Sequence, residues 1–184
     1  MKKTYVFLAD GFEEIEGLTV VDLLRRAGVE VQTVSIKDTK EIQGSHGITL
    51  FADSVFAECN FDDAELLVLP GGMPGTKNLG AFEPLCELLK KFDAAGRKIA
   101  AICAAPSVFA SLGILKGRKA TSYPSFMEMI AENGADAVEE SVVVDGHVIT
   151  SRGMGTAIDF SLTLIEQLID TEKKEQIAAS IVYK

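Results

Sequence analysis

Lys98-Ile-Ala-Ala-Ile-Cys103-Ala-Ala-Pro-Ser107 is the segment from which the rest of the chain is best interpreted. The apolar residues 99–102 predict a buried central strand, and Pro106 predicts the first turn of a helix. Cys103 lies at the joint, on a sharp turn that directs its side chain toward the backbone N–H groups of the helix. Such a turn stabilises a thiolate. It resembles the nucleophile elbow, the strand-to-helix turn that presents the catalytic serine of α/β-hydrolases.

Cysteine usage leaves a second interpretation open. A lone cysteine at the end of an apolar strand is most often a small buried hydrophobic residue. The chain has three cysteines, Cys59, Cys86 and Cys103, an odd number without Cys-x-x-Cys spacing. We therefore expect neither a disulfide framework nor a metal site. Cys86 lies beside the apolar stripe of a predicted helix, where packing is its expected role.

Composition and charge narrow the class of protein. The chain has 184 residues, of which 47% are hydrophobic, and this predicts a single domain over residues 1–184. A net charge of -9 argues against nucleic acid or an anionic membrane as the main partner, and favours a small ligand. Met1-Lys2-Lys3 leads into only about six strand-like residues, so no signal peptide is expected. No apolar run approaches the roughly 20 residues of a membrane span, and a cytoplasmic location is predicted.

Strands alternate with helices along the chain. Strands are predicted over residues 4–9, 29–36, 66–69, 99–102 and 119–122, hairpins over 41–51 and 142–150, and helices over 13–27, 81–95, 106–112, 125–133, 157–169 and 172–182. This order predicts an α/β protein, a flavodoxin-like three-layer α/β/α sandwich with a mostly parallel sheet and hairpin additions.

Ligands of such sheets bind at the carboxyl ends of the strands. The turn after Ala9, the pair Gly71-Gly72 and Cys103 all fall at that edge of the predicted sheet. Paired glycines after a strand expose backbone N–H groups that hold an oxyanion or phosphate, although they are also typical of a simple turn. Three glutamates open the first predicted helix, where acids complement the helix dipole, and one of them is available for a functional role.

Histidines are scarce, which limits the possible mechanisms. The chain has two, His46 and His147. His147 follows the strong turn signal Asp145-Gly146, so we expect it beside a solvent-facing turn and away from any chemistry. His46 is expected to be a surface residue.

Four blocks of the sequence resemble the ThiJ/PfpI superfamily, and within it the branch of the Parkinson's-associated deglycase. They are Asp10-Gly-Phe-Glu-Glu-Ile-Glu16, Leu69-Pro-Gly-Gly72, Ala100-Ala-Ile-Cys103-Ala-Ala-Pro106 and Thr150-Ser-Arg-Gly-Met-Gly-Thr156. The similarity covers essentially the whole chain. It implies a flavodoxin-like homodimer with a reactive cysteine on a nucleophile elbow.

The resemblance also assigns roles to individual residues. Cys103 matches the family's reactive cysteine, and Glu16 matches the carboxyl group that hydrogen-bonds to its sulfur. Gly72 and Ala104 match the backbone donors that face an oxyanion. The further pocket candidates are Gly71, Tyr123 and Arg152.

The family's activities give three functional expectations. The first is cofactor-free chemistry on a small aldehyde or a glycated substrate. The alternatives are an oxidative-stress sensor or chaperone that uses the same cysteine, and a peptidase. Many members carry His-Pro where this chain has Tyr123-Pro124. Because a neutral phenol does not accept a proton at neutral pH as imidazole does, the peptidase is disfavoured.

Two further expectations concern the pair of Cys103 and Glu16 and the dimer. We expect a lowered pKa for the Cys103 thiol, with Glu16 as a protonated donor and the two groups titrating together. The hairpin around Gly44-Ser45-His46 and the first helix are the segments expected at the homodimer interface.

Overall fold

The computed structural model describes residues 3–183, and Met1, Lys2 and Lys184 lie outside the described residues. The prediction that there is no signal peptide rests in part on these first residues. The strands are β1 (Lys3–Leu8), β2 (Glu30–Ser35), β3 (Glu41–Gln43), β4 (Thr49–Phe51), β5 (Ser54–Val55), β6 (Ala64–Leu69), β7 (Lys98–Ile102), β8 (Lys119–Ala120), β9 (Asp136–Ala137), β10 (Val142–Asp145) and β11 (Val148–Ser151). The helices are α1 (Glu14–Arg26), α2 (Gly75–Ala81), α3 (Glu83–Ala94), α4 (Pro106–Ser111), α5 (Met127–Glu132), α6 (Ala157–Leu168) and α7 (Thr171–Ser180).

The main sheet has seven strands in the order β10-β11-β7-β6-β1-β2-β5. Its described pairs are parallel except β10 with β11, which form an antiparallel hairpin. The strands β7, β6 and β1 are neighbours in the middle of this sheet. Their carboxyl ends therefore meet at one place on its edge.

The core is divided into two layers by the sheet. Alternate residues of β1 point to opposite faces, so Val6 and Leu8 pack with α1 and α6 while Tyr5 and Phe7 pack with α3 and α4. Both faces are covered, which explains why the central strands are almost continuously apolar. The predicted flavodoxin-like three-layer sandwich is confirmed.

Some elements differ from those predicted. The hairpin over 41–51 is present as β3 and β4, and the second hairpin joins the main sheet through β11, which runs parallel to β7. The strand predicted over 119–122 is only β8, which pairs with β9 in a separate sheet. Helix α2 was not predicted, because the sequence around Gly75 has the glycine and proline content of a turn. Among residues 3–183, no helix has both the length and the apolar character needed to cross a bilayer.

Candidate active site

Cys103 follows β7 directly and has a left-handed backbone conformation, with φ of 65°. This conformation costs a residue other than glycine about 1–3 kcal/mol unless its surroundings hold it. Here the Cys103 N–H donates to the Ser151 carbonyl at 3.0 Å, and the Cys103 carbonyl accepts from the Tyr123 N–H at 2.8 Å and the Ser122 hydroxyl at 2.6 Å. The predicted elbow is present. Ser122 and Ser151, which hold it in place, were not recognised in the sequence.

Glu16 lies in the first turn of α1, and only 1% of its surface is exposed. Its Oε2 accepts a hydrogen bond from the Gly71 N–H at 2.9 Å, whereas Oε1 is buried with no close partner among the described residues. Burial raises the pKa of the Glu16 carboxyl to about 7, against the opposing effect of hydrogen bonds with the Cys103 side chain and Gly71. Glu16 therefore takes up its proton as pH falls through about 7, well above the range of an ordinary carboxyl.

The structure changes the expectation for the thiol. Burial, and after it the charge and the hydrogen bond of the neighbouring Glu16, raise the pKa of Cys103 to about 12, so the lowered pKa predicted from the sequence is wrong. The backbone N–H groups of Ala104 and Gly72 act in the opposite direction by donating to the sulfur. The repulsion from Glu16 exists only when that carboxyl is ionised. The two groups therefore titrate as a coupled pair, and the position of one proton determines the state of the sulfur.

Glycines let the loop after β6 approach the acid and the thiol. A Cβ atom on Gly71 would lie 2.6 Å from both the Cys103 Cβ and Glu16 Oε2. Gly72 has φ of +90°, and a Cβ there would lie 2.3 Å from the Glu13 nitrogen. The Glu13 N–H in turn donates to the Gly71 carbonyl at 2.9 Å. Backbone packs directly on backbone here, which brings the predicted Gly71, Gly72, Glu16 and Cys103 together.

Two other pocket candidates lie farther along the chain. The Tyr123 N–H holds the elbow through its hydrogen bond to the Cys103 carbonyl. Tyr123 is 47% exposed, and its ring lies near Gly153. The Arg152 guanidinium pairs with Glu139 at 3.5 Å. A role for either side chain in binding a substrate stays a prediction.

The two histidines are engaged elsewhere. His147 follows the expected turn, but its side chain is only 18% exposed and Nε2 lies 2.8 Å from Asp93 Oδ1, so it is paired rather than free in solvent. His46 lies between β3 and β4 with 69% of its side chain exposed, and Nδ1 lies 3.1 Å from Glu14 Oε2. The partners described for both histidines are acids other than Glu16, and this agrees with the low expectation for a Cys-His peptidase.

The other cysteines have ordinary packing environments. Cys86 is buried on α3, and its thiol donates to the Gly80 carbonyl at 3.4 Å. The Cys59 thiol donates to the Val55 carbonyl at 3.4 Å. Burial raises the pKa of both thiols. Each remains a thiol at neutral pH, without the buried acid that accompanies Cys103.

One group of described side chains has the composition of a metal site. The potential ligand atoms of Glu13, Glu14 and His46 lie within 4.8 Å of one another. Their mutual ion pairs account for this proximity. The group is therefore interpreted as a charge cluster.

A cavity of about 270 Å³ lies between α2 and α4. Its lining includes Met73, next to Gly72, and Ser107, in the first turn of α4. Thr76 also lines it, and the Thr76 hydroxyl is buried without a hydrogen-bond partner among the described residues. Neither Cys103 nor Glu16 is among the described residues that line this space, so it is not the space around the sulfur itself.

Known proteins resemble this chain over its whole length. Residues 2–167 match the model of the DJ-1/PfpI family. The chain is 41% identical over 184 residues to Protein DJ-1 homolog B of Arabidopsis thaliana, and it spans only 42% of that relative. It is 37% identical over 153 residues, 83% of the chain and 91% of the relative, to a protein named deglycase in Pyrococcus abyssi. The solved structure of oxidized Toxoplasma gondii DJ-1 superposes with a TM-score of 0.94 at 38% identity, covering 100% of this chain and 99% of that one. The chain therefore belongs to the DJ-1/PfpI family.

Proposed function

We propose that the protein is a cysteine-dependent, cofactor-free enzyme that acts on reactive aldehydes. Its reaction is either the conversion of a 2-oxoaldehyde such as glyoxal or methylglyoxal to a hydroxy acid, or the removal of early glycation adducts. The observation that carries this proposal is a cysteine in a left-handed backbone conformation next to a buried glutamate, whose pKa is raised by burial to about 7. The relative named deglycase supports the choice of substrate class.

Glu16 supplies the proton chemistry of the proposed reaction. Below a pH of about 7 the carboxyl of Glu16 is neutral, and the repulsion that disfavours a Cys103 thiolate is absent. The protonated acid then acts as a donor to the sulfur, together with the N–H groups of Gly72 and Ala104. A buried carboxylate with an unpartnered oxygen is costly, which also favours a proton on Glu16.

The proposed chemistry needs no external oxidant or reductant. The Cys103 thiolate forms a bond to the aldehyde carbon, and the resulting alkoxide, held by the backbone N–H groups, takes the proton of Glu16. Glu16, now a carboxylate, removes the hydrogen of the aldehyde carbon as a proton and returns it to the neighbouring ketone carbon, while the hydroxyl proton of the former aldehyde moves to the former ketone oxygen. One carbon is oxidised as the other is reduced, and a thioester results. Water hydrolyses the thioester to the hydroxy acid and frees the thiol.

Incubation of the reduced protein with methylglyoxal, with chiral assay of lactate, tests this function. We expect turnover in the wild-type protein and none in Cys103→Ser. A glycated peptide is the second substrate, because one relative is named a deglycase. Equal product formation by wild-type protein and Cys103→Ser would contradict the proposal.

An oxidative-stress sensor, with or without chaperone activity, is the second candidate. It is favoured by the same site and by the similarity to a DJ-1 structure that is described as oxidized. A thiol of this kind is oxidised to a sulfinate, to which the protonated Glu16 can donate a hydrogen bond. Stoichiometric addition of two oxygens to Cys103 by mild peroxide, without aldehyde turnover, would favour the sensor over the enzyme.

We also propose that the chain forms a homodimer through α1 and the β3–β4 hairpin. Exposed apolar side chains on these segments, Ile15, Leu18, Ile48 and Phe51, support this choice. Sedimentation equilibrium tests it, and a concentration-independent monomer mass would contradict it. A cytoplasmic location stays a prediction from the sequence.

A further inference from the structure

The cavity between α2 and α4 combines apolar side chains with hydroxyl groups and one charge. Its apolar lining includes Met73, Val108 and Phe126. Hydroxyl groups come from Thr76, Ser107 and Ser111, and the charge comes from Lys77. With a volume of about 270 Å³, the cavity lies at the small end of the range of ligand pockets, which is about 300–1,000 Å³. Its size therefore suits a small molecule.

Two of these hydroxyl groups lack a hydrogen-bond partner among residues 3–183. Thr76 is 3% exposed, and its Oγ1 is buried without a partner. Ser107 is 9% exposed, and its hydroxyl has no partner either, although its carbonyl accepts from the Ser111 hydroxyl at 2.9 Å. Buried hydroxyls are normally hydrogen-bonded, because an unmade bond costs free energy. A threonine in a helix has two χ1 rotamers, so the Thr76 hydroxyl can change places with its methyl group when a ligand offers a partner.

Lys77 gives the cavity a single positive charge. It is exposed, and it forms no ion pair with the part of the chain that the structure describes. No aspartate or glutamate is among the described residues that line the cavity, although the chain has a net charge of -9. The charge of Lys77 is thus not compensated by the lining. An anion is the ligand that this arrangement favours.

The shape of the cavity separates its apolar part from its charge. Helices α2 and α4 approach closely at Gly80, where an added Cβ atom would lie 3.4 Å from Val108 Cγ2. The side formed by Met73 and Lys77 is open to solvent, and Met73 is 42% exposed. A ligand can therefore place its apolar part between the helices and its charge beside Lys77.

We propose that this cavity binds a small monocarboxylate with an apolar tail. The carboxylate pairs with Lys77 and accepts hydrogen bonds from the hydroxyls of Thr76 and Ser107, while the tail packs against the apolar lining. One lysine balances a monoanion, whereas a phosphate, with a charge of about -1.5 to -2, would stay partly uncompensated. The inference is independent of the proposed function, because the cavity is not the space around the reactive sulfur.

The test is a titration of the protein with isovalerate at constant ionic strength, followed by NMR of isotope-labelled methionine methyl groups. We expect a saturable shift of the Met73 methyl signal, with a Kd of about 1 mM. The methyl signal of Met154, which lies beside His46 on another part of the surface, is the internal control and should not move. Isovaleramide, the neutral counterpart, and inorganic phosphate should each bind at least about tenfold more weakly.

Substitutions in the lining show which groups hold the anion. Lys77→Gln should raise the Kd about tenfold, and Ser107→Ala and Thr76→Val should each raise it about threefold. Lys116→Gln is the matched control, because Lys116 is exposed, has no described ion pair and does not line the cavity. Its Kd should equal that of wild type. Thermal denaturation of each variant checks that the protein remains folded.

Three results would overturn the inference: no saturable Met73 shift in wild type, a wild-type Kd in Lys77→Gln, or equal binding of isovaleramide. Protein alkylated at Cys103 with iodoacetamide should keep the wild-type Kd. Loss of binding there would place the anion at the N–H groups of Gly72 and Ala104 and would also overturn the inference. Aldehyde turnover is measured on the same preparation. Isovalerate binding without turnover would contradict the proposed function alone, and turnover without isovalerate binding would contradict this inference alone.

Discussion

The two ends of β7 each lie near an acid, and the surroundings of these acids are opposite. Near the amino end, Asp93 Oδ1 lies 3.0 Å from Arg118 and 2.8 Å from His147, with a quarter of its side chain exposed. Near the carboxyl end, Glu16 is 1% exposed, and one of its oxygens has no hydrogen-bond partner among residues 3–183. Asp93, whose charge is compensated by Arg118 and His147, has a structural role. Glu16, which lacks such compensation, keeps a proton available near neutral pH. Proton chemistry is therefore expected only at the carboxyl edge.

Loss of the sulfur at that edge has the largest expected effect. Cys103→Ser should abolish aldehyde turnover, because a serine hydroxyl is a far weaker acid than a thiol and stays un-ionised beside Glu16. Cys86→Ser is the matched control, since Cys86 is buried and the acids near it, Glu83 and Glu87, are exposed, and it should keep the wild-type turnover. Product formation by both variants in the lactate assay is the measurement. Activity lost equally in the two variants would indicate damage to packing instead.

Ionisation of Glu16 should lower the free energy of unfolding. The folded-state pKa of about 7 is above the ordinary value of 4.5, so the contribution is fully present below about pH 4.5 and is lost as pH rises through about 7. The loss amounts to about 3 kcal/mol in the free energy of unfolding. Glu16→Gln should not show it, because the amide does not ionise. Urea denaturation at several pH values makes the comparison, and parallel pH profiles for the two proteins would contradict it.

Close approach of the loop after β6 is the next feature to test. Gly71→Ala puts a Cβ atom 2.6 Å from Glu16 Oε2 and from the Cys103 Cβ, which must separate the pair. We expect a roughly tenfold or larger fall in turnover and in Cys103 alkylation. Gly155→Ala, where nothing lies within 4 Å of the added atom, is the control and should be unaffected. Wild-type alkylation by Gly71→Ala would show that the contact is not needed.

The smallest effect is expected at the amino edge. Asp93→Asn weakens the interactions with Arg118 and His147 and should lower the free energy of unfolding by about 1 kcal/mol. The rate of Cys103 alkylation should not change, since the opposite edge of the sheet carries the chemistry. Denaturation and alkylation of the same preparation provide both readouts. A change in alkylation with unchanged stability would remove the distinction between the edges.

Local patterns in the sequence predict much of this arrangement. The alternation of apolar strands and amphipathic helices predicts the sandwich, and the small residues around Cys103 predict the elbow. Features that depend on distant pairs are missed. Ser122 and Ser151 can hold the elbow only because later segments of the chain pack against the end of β7. Helix α2 begins at Gly75, a glycine that packs against the Gly11 and Phe12 backbone. The direction of the thiol pKa was also wrong, because the sequence does not show how deeply the pair is buried.

The central claim is that burial keeps a proton on Glu16 up to about neutral pH, next to the sulfur of Cys103. Infrared difference spectroscopy between wild type and Glu16→Gln detects the protonated carboxyl, and ultraviolet difference absorbance between wild type and Cys103→Ser detects the thiolate in the same sample. We predict that the protonated carboxyl is present at about pH 6 and disappears as pH rises through about 7. An ionised Glu16 at about pH 6, with or without a thiolate signal, would contradict the account.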